Sequence, residues 1–582
     1  MIILGLSNND YAGACIIKDG LVTAAAHEER FTRVKAHNVF PYHAMNYVLA
    51  ENEIGLDNVD YIAYGWNAGF DPERYSELYF DRIAEVTQDE SEYLPYLHKR
   101  LTDEVNHDRP KRAEFESFIR ENHLDGKVLY IEHHESHAHA AYLCSPFSRA
   151  IAISCDGRGD FQSLTVTQCE GDHFEVLQRE SMFDSLGYFY GRITQLLGFK
   201  PNCHEDKVTG LASYGDPERL LSLMETLINI DEEGRIRAHF GEGYLPSYHH
   251  NYEILERAIS GEKPEDVAAA AQRHLENILM KLIRQYVDRE HPNNLCLAGG
   301  VFGNVKLNQK LRSIDGVENV YILPCMGDDG LPLGAAVCAV HRLNGTRVSM
   351  PTMKLGPAVA ESDGIIRYLD DKAEFSYLHL SEDQTIIAIL LAALHSDLIS
   401  GIVKGRMEFG ARALGNRSVI CRAQDSSVNI WLNQRMKRTE FMPFAPMTAD
   451  IFATDCYVGW QPDQIAAQFI TMTYDCTTYF KHRCPAVTDI DGTARPQIIT
   501  KDSDPFMHQL LVAWEGVSGE PGLINTSLNT GEEPIVNEFC QALSYLEEQV
   551  IDLLVFNHDL VVWRSDDQHV AAALQNNSYS NQ

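Results

Sequence analysis

The chain opens on an apolar run, Ile2 to Leu6, interrupted by the polar stretch Ser7-Asn8-Asn9-Asp10. Apolar positions resume through Gly13 to Ile17 and Leu21 to Ala25, on either side of Lys18-Asp19-Gly20. This pattern predicts a strand, a polar loop and a tight hairpin. The same succession returns later. Ala150 to Ser154 is apolar, Asp156-Gly157-Arg158-Gly159-Asp160 is a polar, glycine-rich break, and Ser163 to Thr167 and Phe174 to Leu177 flank the turn Glu170-Gly171-Asp172. From Pro264 to His291, residues Val267, Ala271, Leu275, Ile278, Leu279, Leu282, Tyr286 and Val287 recur mostly at helical spacing, which predicts one long amphipathic helix stopped by Pro292. Strand Leu295 to Leu297 then enters Ala298-Gly299-Gly300-Val301-Phe302-Gly303-Asn304 and another helix. Strand, glycines and helix form a phosphate cradle where the backbone must approach an anion, and Gly-Gly also marks tight strand–helix packing. The pattern loosens between Asn344 and Ser381, around Pro351 and Gly356-Pro357, and places a boundary between domains 1–360 and 361–582.

A repeated strand, acidic loop and hairpin predicts two similar α/β halves facing each other, as in sugar kinases, actin and heat-shock chaperone ATPases. There, each first loop brings a carboxylate and backbone amides to the phosphates. Two unrelated hairpins would leave the same trace. Length and composition agree with a globular chain: 582 residues, 45% apolar and 23% charged. The balance of 49 basic against 83 acidic residues, a net charge of -34, opposes non-specific binding of nucleic acid. The 13 cysteines include no Cys-x-x-Cys pair, which argues against a zinc ribbon, a redox dithiol or a disulfide framework. The N-terminus has no basic, apolar leader, and the longest apolar run, Ile386 to Leu394, is too short to cross a bilayer. The expectation is a soluble cytoplasmic protein with no membrane partner.

The sharpest chemical signal is His133-His134-Glu135-Ser136-His137-Ala138-His139, at the start of a short Ala-rich helix after the strand Val128 to Ile131. Residues four apart share a helix face, so His133 and His137 can aim two imidazoles at one ion. Asp156 ends the next strand and Asp328 follows strand Val320 to Leu323, and these supply two carboxylates. Such a donor set suits iron(II), manganese or zinc, with nothing in the donor set to choose among them. In the C-terminal part, Gly405 to Ser418 holds Arg406, Arg412 and Arg417 among glycines, followed by Arg435, Lys437, Arg495 and Asn525-Thr526-Ser527-Leu528-Asn529. Arginines beside small hydroxyl and amide side chains suggest an anion pocket, the alternative being structural pairing with Glu408 and Glu440.

Together these segments resemble the antibiotic and nodulation-factor O-carbamoyltransferase family. The resemblance runs almost end to end, apart from a divergent stretch near 70–125. It is carried by Glu28-Glu29-Arg30-Phe31-Thr32-Arg33 with Lys35, His133-His134-x-x-His137, Cys155-Asp156-Gly157, Lys207-x-x-Gly210-Leu211, Gly299-Gly300-Val301, the Gly405 to Ser418 run, Pro443-Phe444-Ala445-Pro446, Arg495-Pro496-Gln497 and Asn525 to Asn529. It implies an actin-like, TsaD-type N-terminal domain and a YrdC-like C-terminal domain. The second would join carbamoyl phosphate to ATP as carbamoyl adenylate, with magnesium accompanying the nucleotide, and the first would pass the carbamoyl group to an acceptor hydroxyl. The implied metal ligands are His133, His137, Asp156 and Asp328. Gly299, Gly300 and Asn304 would hold the nucleotide, and Lys35 would sit near the transferred group. Arg412, Arg417, Lys437, Arg495, Ser527 and Asn529 would line the carbamoyl phosphate and adenylate pocket.

One departure stands out. Family members commonly show His-Asp-Ala where this chain has Asp10-Tyr11-Ala12, so Asp10 is the candidate base, beside Lys35 and His133 as candidate catalytic residues. The expected acceptor is a hydroxyl-bearing natural product. A hydroxymethylated pyrimidine in DNA is the alternative, and a homodimer is kept open as the assembly. The one compact basic stretch near the predicted cleft, Lys306 to Arg312, reads as a solvated helix face. A metal-dependent hydrolase is the competing activity and leaves the arginine-rich half unexplained.

Overall fold

The computed structural model describes residues 1–67, 82, 84, 94–239, 244, 253–288, 291–380, 383–439 and 441–575. The chain divides into two units, Met1–Glu28 with Ala36–Pro351, and Glu29–Lys35 with Thr352–Gln582.

The first unit holds two five-stranded mixed sheets. In one, β1 (Ile2–Ser7), β2 (Gly13–Lys18), β3 (Leu21–His27), β4 (Tyr61–Tyr64) and β5 (Val128–Tyr130) lie in the order β3-β2-β1-β4-β5. The second contains β6 (Arg149–Gly159), β7 (Gln162–Glu170) and β8 (His173–Ser181). After a separate hairpin of β9 (Ile228–Ile230) and β10 (Ile236–Ala238), it is completed by β11 (Asn293–Ala298) and β12 (Val317–Ile322), in the order β8-β7-β6-β11-β12. In each sheet a three-stranded antiparallel meander is extended by two parallel strands. The repeated sequence pattern is therefore a repeated sheet topology. The first hairpin turns at Asp19 and Gly20, both left-handed (φ 51° and 80°), as a two-residue primed turn requires.

Two local expectations are corrected. The stretch Asp156 to Asp160 does not end the strand: β6 continues to Gly159, and its pairing jumps from Cys155–Leu164 to Gly159–Gln162. Asp156-Gly157-Arg158 therefore bulges opposite Ser163, and the turn itself falls on Asp160 and Phe161, again both left-handed (φ 46° and 66°). The long helix runs over Pro264–Ile283 and not to His291. Beyond it, the Asn293 side-chain amide donates to the carbonyls of His291 and Gly316 (2.8 and 3.0 Å), and the Tyr286 hydroxyl donates to Gln178. These bonds hold the chain in a loop where the apolar spacing alone had extended the helix.

Helix Leu331–Asn344 lies directly on the first sheet because Gly5 has no side chain. A Cβ there would fall 1.8 Å from the Pro332 carbonyl oxygen. Gly334 also lies close against helix His133–Leu143, where a Cβ would fall 2.6 Å from the Ser136 carbonyl oxygen. These close approaches set helix Leu331–Asn344, and the Asp328 segment before it, against the His133 helix.

The second unit is built on one eight-stranded mixed sheet. Its strands are β13 (Phe375–His379), β14 (Ser400–Val403), β15 (Arg417–Arg422), β16 (Ala445–Ala449), β19 (Gln497–Ile499), β20 (Gly522–Ser527), β21 (Leu553–Phe556) and β22 (Leu560–Arg564), with a small pair β17 (Tyr474–Asp475) and β18 (Thr493–Ala494) apart from it. Helices Asp383–His395 and Pro505–Ser518 bury Ile386, Leu390, Leu510 and Trp514 against Ile402, Ile420 and Val555. The run Ile386 to Leu394 is thus a core helix, and no helix among the described residues is long and apolar enough to cross a membrane. Glu29–Lys35, expected with the first 360 residues, packs here. Arg30 donates to the Gly410 carbonyl (3.2 Å), and Arg33 to those of Ile535 and Pro534 (2.7 and 2.6 Å).

Glu180 near the end of β8 generates a pH prediction. Its carboxylate accepts from the Ile236 amide (3.2 Å) and from Gln178, with Arg235 and Arg237 at 3.5 and 3.9 Å. Burial, and then the Asp184 carboxylate, push it from an ordinary 4.5 up to about 7. Between those values the folded chain binds more protons than the unfolded one, so this group's contribution to stability falls as pH rises. Glu180→Gln is expected to remove up to roughly 3 kcal/mol of that fall. Urea unfolding of both proteins across the interval checks it, and an unaltered pH dependence in the variant refutes it.

Candidate active site

Helix His133–Leu143 is fixed at its start by two buried carboxylates. Glu132 caps it, accepting from the amides of His134 and Glu135 (both 3.0 Å), and Asp160 accepts from the His133 amide (2.8 Å) and from Asn67 (2.9 Å). The strained turn at Asp160 and Phe161 delivers the second of these. From this helix His133 and His137 project on one face, ring centroids 4.7 Å apart. Asp156 enters from the β6 bulge, and Asp328 from the turn Asp328–Gly330 that precedes helix Leu331–Asn344.

The four side chains converge. Asp156 Oδ2 lies 3.5 Å from His133 Nε2 and 3.2 Å from His137 Nε2, and Asp328 Oδ1 lies 3.6 and 3.4 Å from the same nitrogens. Metal–ligand bonds of ~2.1 Å put tetrahedral neighbours about 3.4 Å apart. His133 Nε2 and Asp156 Oδ2 are buried without a hydrogen-bond partner, an arrangement that is costly unless a further group joins them. The residues present therefore fit a divalent cation held by His133, His137, Asp156 and Asp328. Electrostatics agree. Burial disfavours charge on His137, but its contacts with Asp156 and Asp328 outweigh this and raise it to about 10. Burial likewise opposes ionisation of Asp156, yet His133 and His137 hold it well below the usual carboxylate range. The pocket demands positive charge beside its carboxylates.

Space around the cluster is tightly allotted. A Cβ at Gly159 would fall 2.0 Å from the His133 ring. Gly300 donates its amide to Asp156 Oδ1 (2.5 Å), and Gly299 adopts φ +98° against Cys155. Asn304 caps helix Val305–Arg312 through Leu307 (3.0 Å) and exchanges amide bonds with Gln272 (2.7 and 3.1 Å). Trp66 meets His133 edge-on at 4.6 Å and donates to Asp108 (3.0 Å), which Arg158 also approaches. Asp10 is half-buried; burial, then the Asp328 carboxylate, raise its carboxyl, with Arg158 and His107 opposing. His134 faces elsewhere, its Nδ1 2.7 Å from the Ser154 hydroxyl. The basic run Lys306 to Arg312 is not a solvated face: Lys306 is buried and Lys310 alone of its cations is exposed.

The predicted anion-binding residues of the second unit differ in burial and in partners. Arg417 is fully buried, donating to the carbonyls of Lys404, Gly405, Asn416 and Pro357 (2.8–3.3 Å). Glu408 accepts from the backbone amides of Leu414, Asn416 and Arg417, while Glu440 lies outside the described residues. Lys437 is exposed and pairs with Glu548 (3.0 Å). Arg412 is half-buried, and Arg495 lines a small cavity with Pro443, Thr473, Asp489 and Thr493. Lys35 is exposed and belongs to this unit. Ser527 and Asn529 come together around Arg438, which also reaches Thr526 (2.7–3.0 Å). Arg438 was missed in favour of its neighbour. Lys437 takes a left-handed φ of 53° past helix Val428–Arg435, and the following residue makes the contacts with Ser527 and Asn529. Lys404 was missed too. Burial lowers it to about 8 against the opposing pull of Asp504 at 2.5 Å.

A family model described as carbamoyltransferase N-terminus matches residues 2–337, and one described as carbamoyltransferase C-terminus matches residues 391–563. The chain is 30% identical over 579 residues to "Uncharacterized protein sll1178" of Synechocystis sp., covering 92% of both chains. It is 30% identical over 568 residues to "Uncharacterized protein MJ1051" of Methanocaldococcus jannaschii, covering 96% of this chain and 99% of that one. Nodulation protein NolNO of Sinorhizobium fredii is 27% identical over 557 residues, 95% of this chain and 79% of its own. The histidines and both aspartates fall inside the first matched region and the Arg438 cluster inside the second, and the chain belongs to the carbamoyltransferase family.

Proposed function

We propose that this enzyme is an ATP-dependent O-carbamoyltransferase that makes carbamoyl adenylate in its second unit and carbamoylates an acceptor hydroxyl in its first. In this proposal the first unit is an actin-like, TsaD-type domain and the second a YrdC-like one. The observation that carries the reading is the convergence of His133, His137, Asp156 and Asp328 around buried, unsatisfied donor atoms.

A divalent cation bound by these four residues would act as a Lewis acid on the carbamoyl oxygen as it gains negative charge. Asp10, its proton affinity raised by burial, takes the acceptor's hydroxyl proton as the acceptor oxygen attacks the carbamoyl carbon. The bond from that carbon to the adenylate phosphate oxygen breaks and AMP leaves. In this reading Gly299, Gly300 and Asn304 would line the nucleotide side. Arg438 orients Ser527 and Asn529 toward carbamoyl phosphate, with Arg412 and Arg495 as further cations. Arg417 shapes the loop through its carbonyl bonds. The acceptor assigned is a small hydroxyl-bearing natural product, because the net charge of -34 repels a duplex.

Incubation with carbamoyl phosphate and ATP is expected to release pyrophosphate, with AMP released on acceptor addition. A mass-spectrometric screen of small alcohols and hydroxymethylated DNA should show one carbamoyl group gained by a small alcohol. Gain by DNA alone would replace the acceptor assignment, and no pyrophosphate would refute the adenylate route. His137→Ala is expected to abolish transfer while pyrophosphate release persists.

Asp10→Asn is expected to lower transfer by about 10²–10⁴-fold at saturating acceptor; full transfer would remove Asp10 from the mechanism. Gly159→Ala should displace His133 and release bound metal while the far-ultraviolet circular dichroism stays that of a folded chain. Undiminished metal content by inductively coupled plasma mass spectrometry would show that the His133 position is not needed.

A further inference from the structure

The His133–Leu143 helix carries a second ligand-bearing face. Glu135 and His139 repeat the four-residue spacing of His133 and His137, and an offset of two residues, about 200° around the axis, turns them to the opposite side. There they meet Cys338 of helix Leu331–Asn344. One ligand atom each from Glu135, His139 and Cys338 lies within 4.8 Å of the other two. Cys338 is fully buried, with its Sγ 3.5 Å from the Glu135 carbonyl oxygen. His139 Nδ1 is buried without a hydrogen-bond partner, 3.8 Å from Glu135 Oε1, and its ring stacks on Phe174 at a centroid distance of 3.9 Å with an interplanar angle of 29°. Arg342 donates to both Glu135 oxygens (2.6 and 2.7 Å) and is partly exposed.

The geometry points to a second metal site at Glu135, His139 and Cys338, separate from the His133 cluster and suited to a borderline-soft divalent ion such as zinc. A thiolate, an imidazole and a carboxylate are the ligand types such an ion takes, whereas the His133 cluster offers no sulfur. Binding ionises the Cys338 thiol and releases its proton to solvent. Glu135 keeps its contact with Arg342 through one oxygen while the other turns to the ion, and solvent completes the coordination from the side that Arg342 covers. The ion ties two helices together: one carries His133 and His137, and the other follows directly from Asp328. It therefore acts as a clamp on three of the four ligands of the first centre.

Cobalt(II) titration of the chelator-stripped full chain tests this, because a thiolate ligand produces a near-ultraviolet charge-transfer band that the His133 cluster cannot. The band is expected in the wild type, to survive in His137→Ala, and to be lost in Cys338→Ser. His139→Ala, which keeps the thiol, is expected to weaken cobalt binding at this site and lower the band at sub-saturating metal. Absence of the band in the wild type, its persistence in Cys338→Ser, or an undiminished band in His139→Ala would each overturn the site.

Discussion

Two carboxylates face two imidazoles inside the first unit, and the surroundings are arranged to make that tolerable. Removing a carboxylate from water costs several kcal/mol unless it is paired and hydrogen-bonded. Asp156 meets the requirement on one side only: Oδ1 receives the Gly300 amide, whereas Oδ2 points at the histidines with no hydrogen bond. The remaining demand is for positive charge, whether a proton on His137 or a cation among all four ligands. The closeness of the packing follows. Gly159 leaves room for the His133 ring, Gly299 and Gly300 bring backbone up to Asp156, and Gly187 touches the backbone of Asp156 and Gly157. A side chain at any of these glycines would move a ligand.

The sheet duplication explains how residues so far apart in sequence reach one point. β1 and β6 hold equivalent places, each between an antiparallel and a parallel neighbour. Each is followed or interrupted by a polar segment, which presents Asp10 in the first sheet and Asp156 in the second. The carboxylates are not register-equivalent: Asp156 lies two residues past Ser154, the last β6 residue paired with β11, whereas Asp10 lies four residues past Leu6, the last β1 residue paired with β4. The chemistry differs because the second segment is a bulge that turns Asp156 inward, while the first ends the strand.

What could be read from the sequence was what local rules determine. The Asp19-Gly20 turn, the hairpins and the His133–His137 spacing need only neighbours in the chain, and the two aspartates stood out as carboxylates beside apolar strand segments, although Asp156 lies in a bulge and not at a strand end. What could not be read depends on distant partners. The β6 bulge arises from pairing with β7, and Asp160-Phe161 holds a left-handed turn that its residue types do not advertise. The helix at Ile283 ends early because Asn293 and Tyr286 bind elsewhere. The arginines were least legible of all. Arg417 satisfies carbonyls in the interior, Lys437 faces solvent, and Arg438 gathers Ser527 and Asn529. Sequence marks each of the three simply as a basic side chain, and which one is buried, which faces solvent and which gathers the hydroxyl and amide groups is decided by tertiary contacts.

The helical period also accounts for the abundance of histidine in one short segment. On a helix packed from several sides, ligands at i and i+4 can be placed twice without interference, once on each face. His133 and His137 use one face and Glu135 and His139 the other, while His134 turns to Ser154. Both faces touch the chain around Asp328: the first through that carboxylate, the second through Cys338 and Arg342 on the helix that follows it. Motion of helix Leu331–Asn344 would therefore disturb both faces at once. A ligand set assembled from separate strands and helices holds its geometry only if those elements are fixed to each other. Here the fixing is done by the glycine contacts at Gly5 and Gly334 in front, and by the Glu135–Arg342–Cys338 contacts behind.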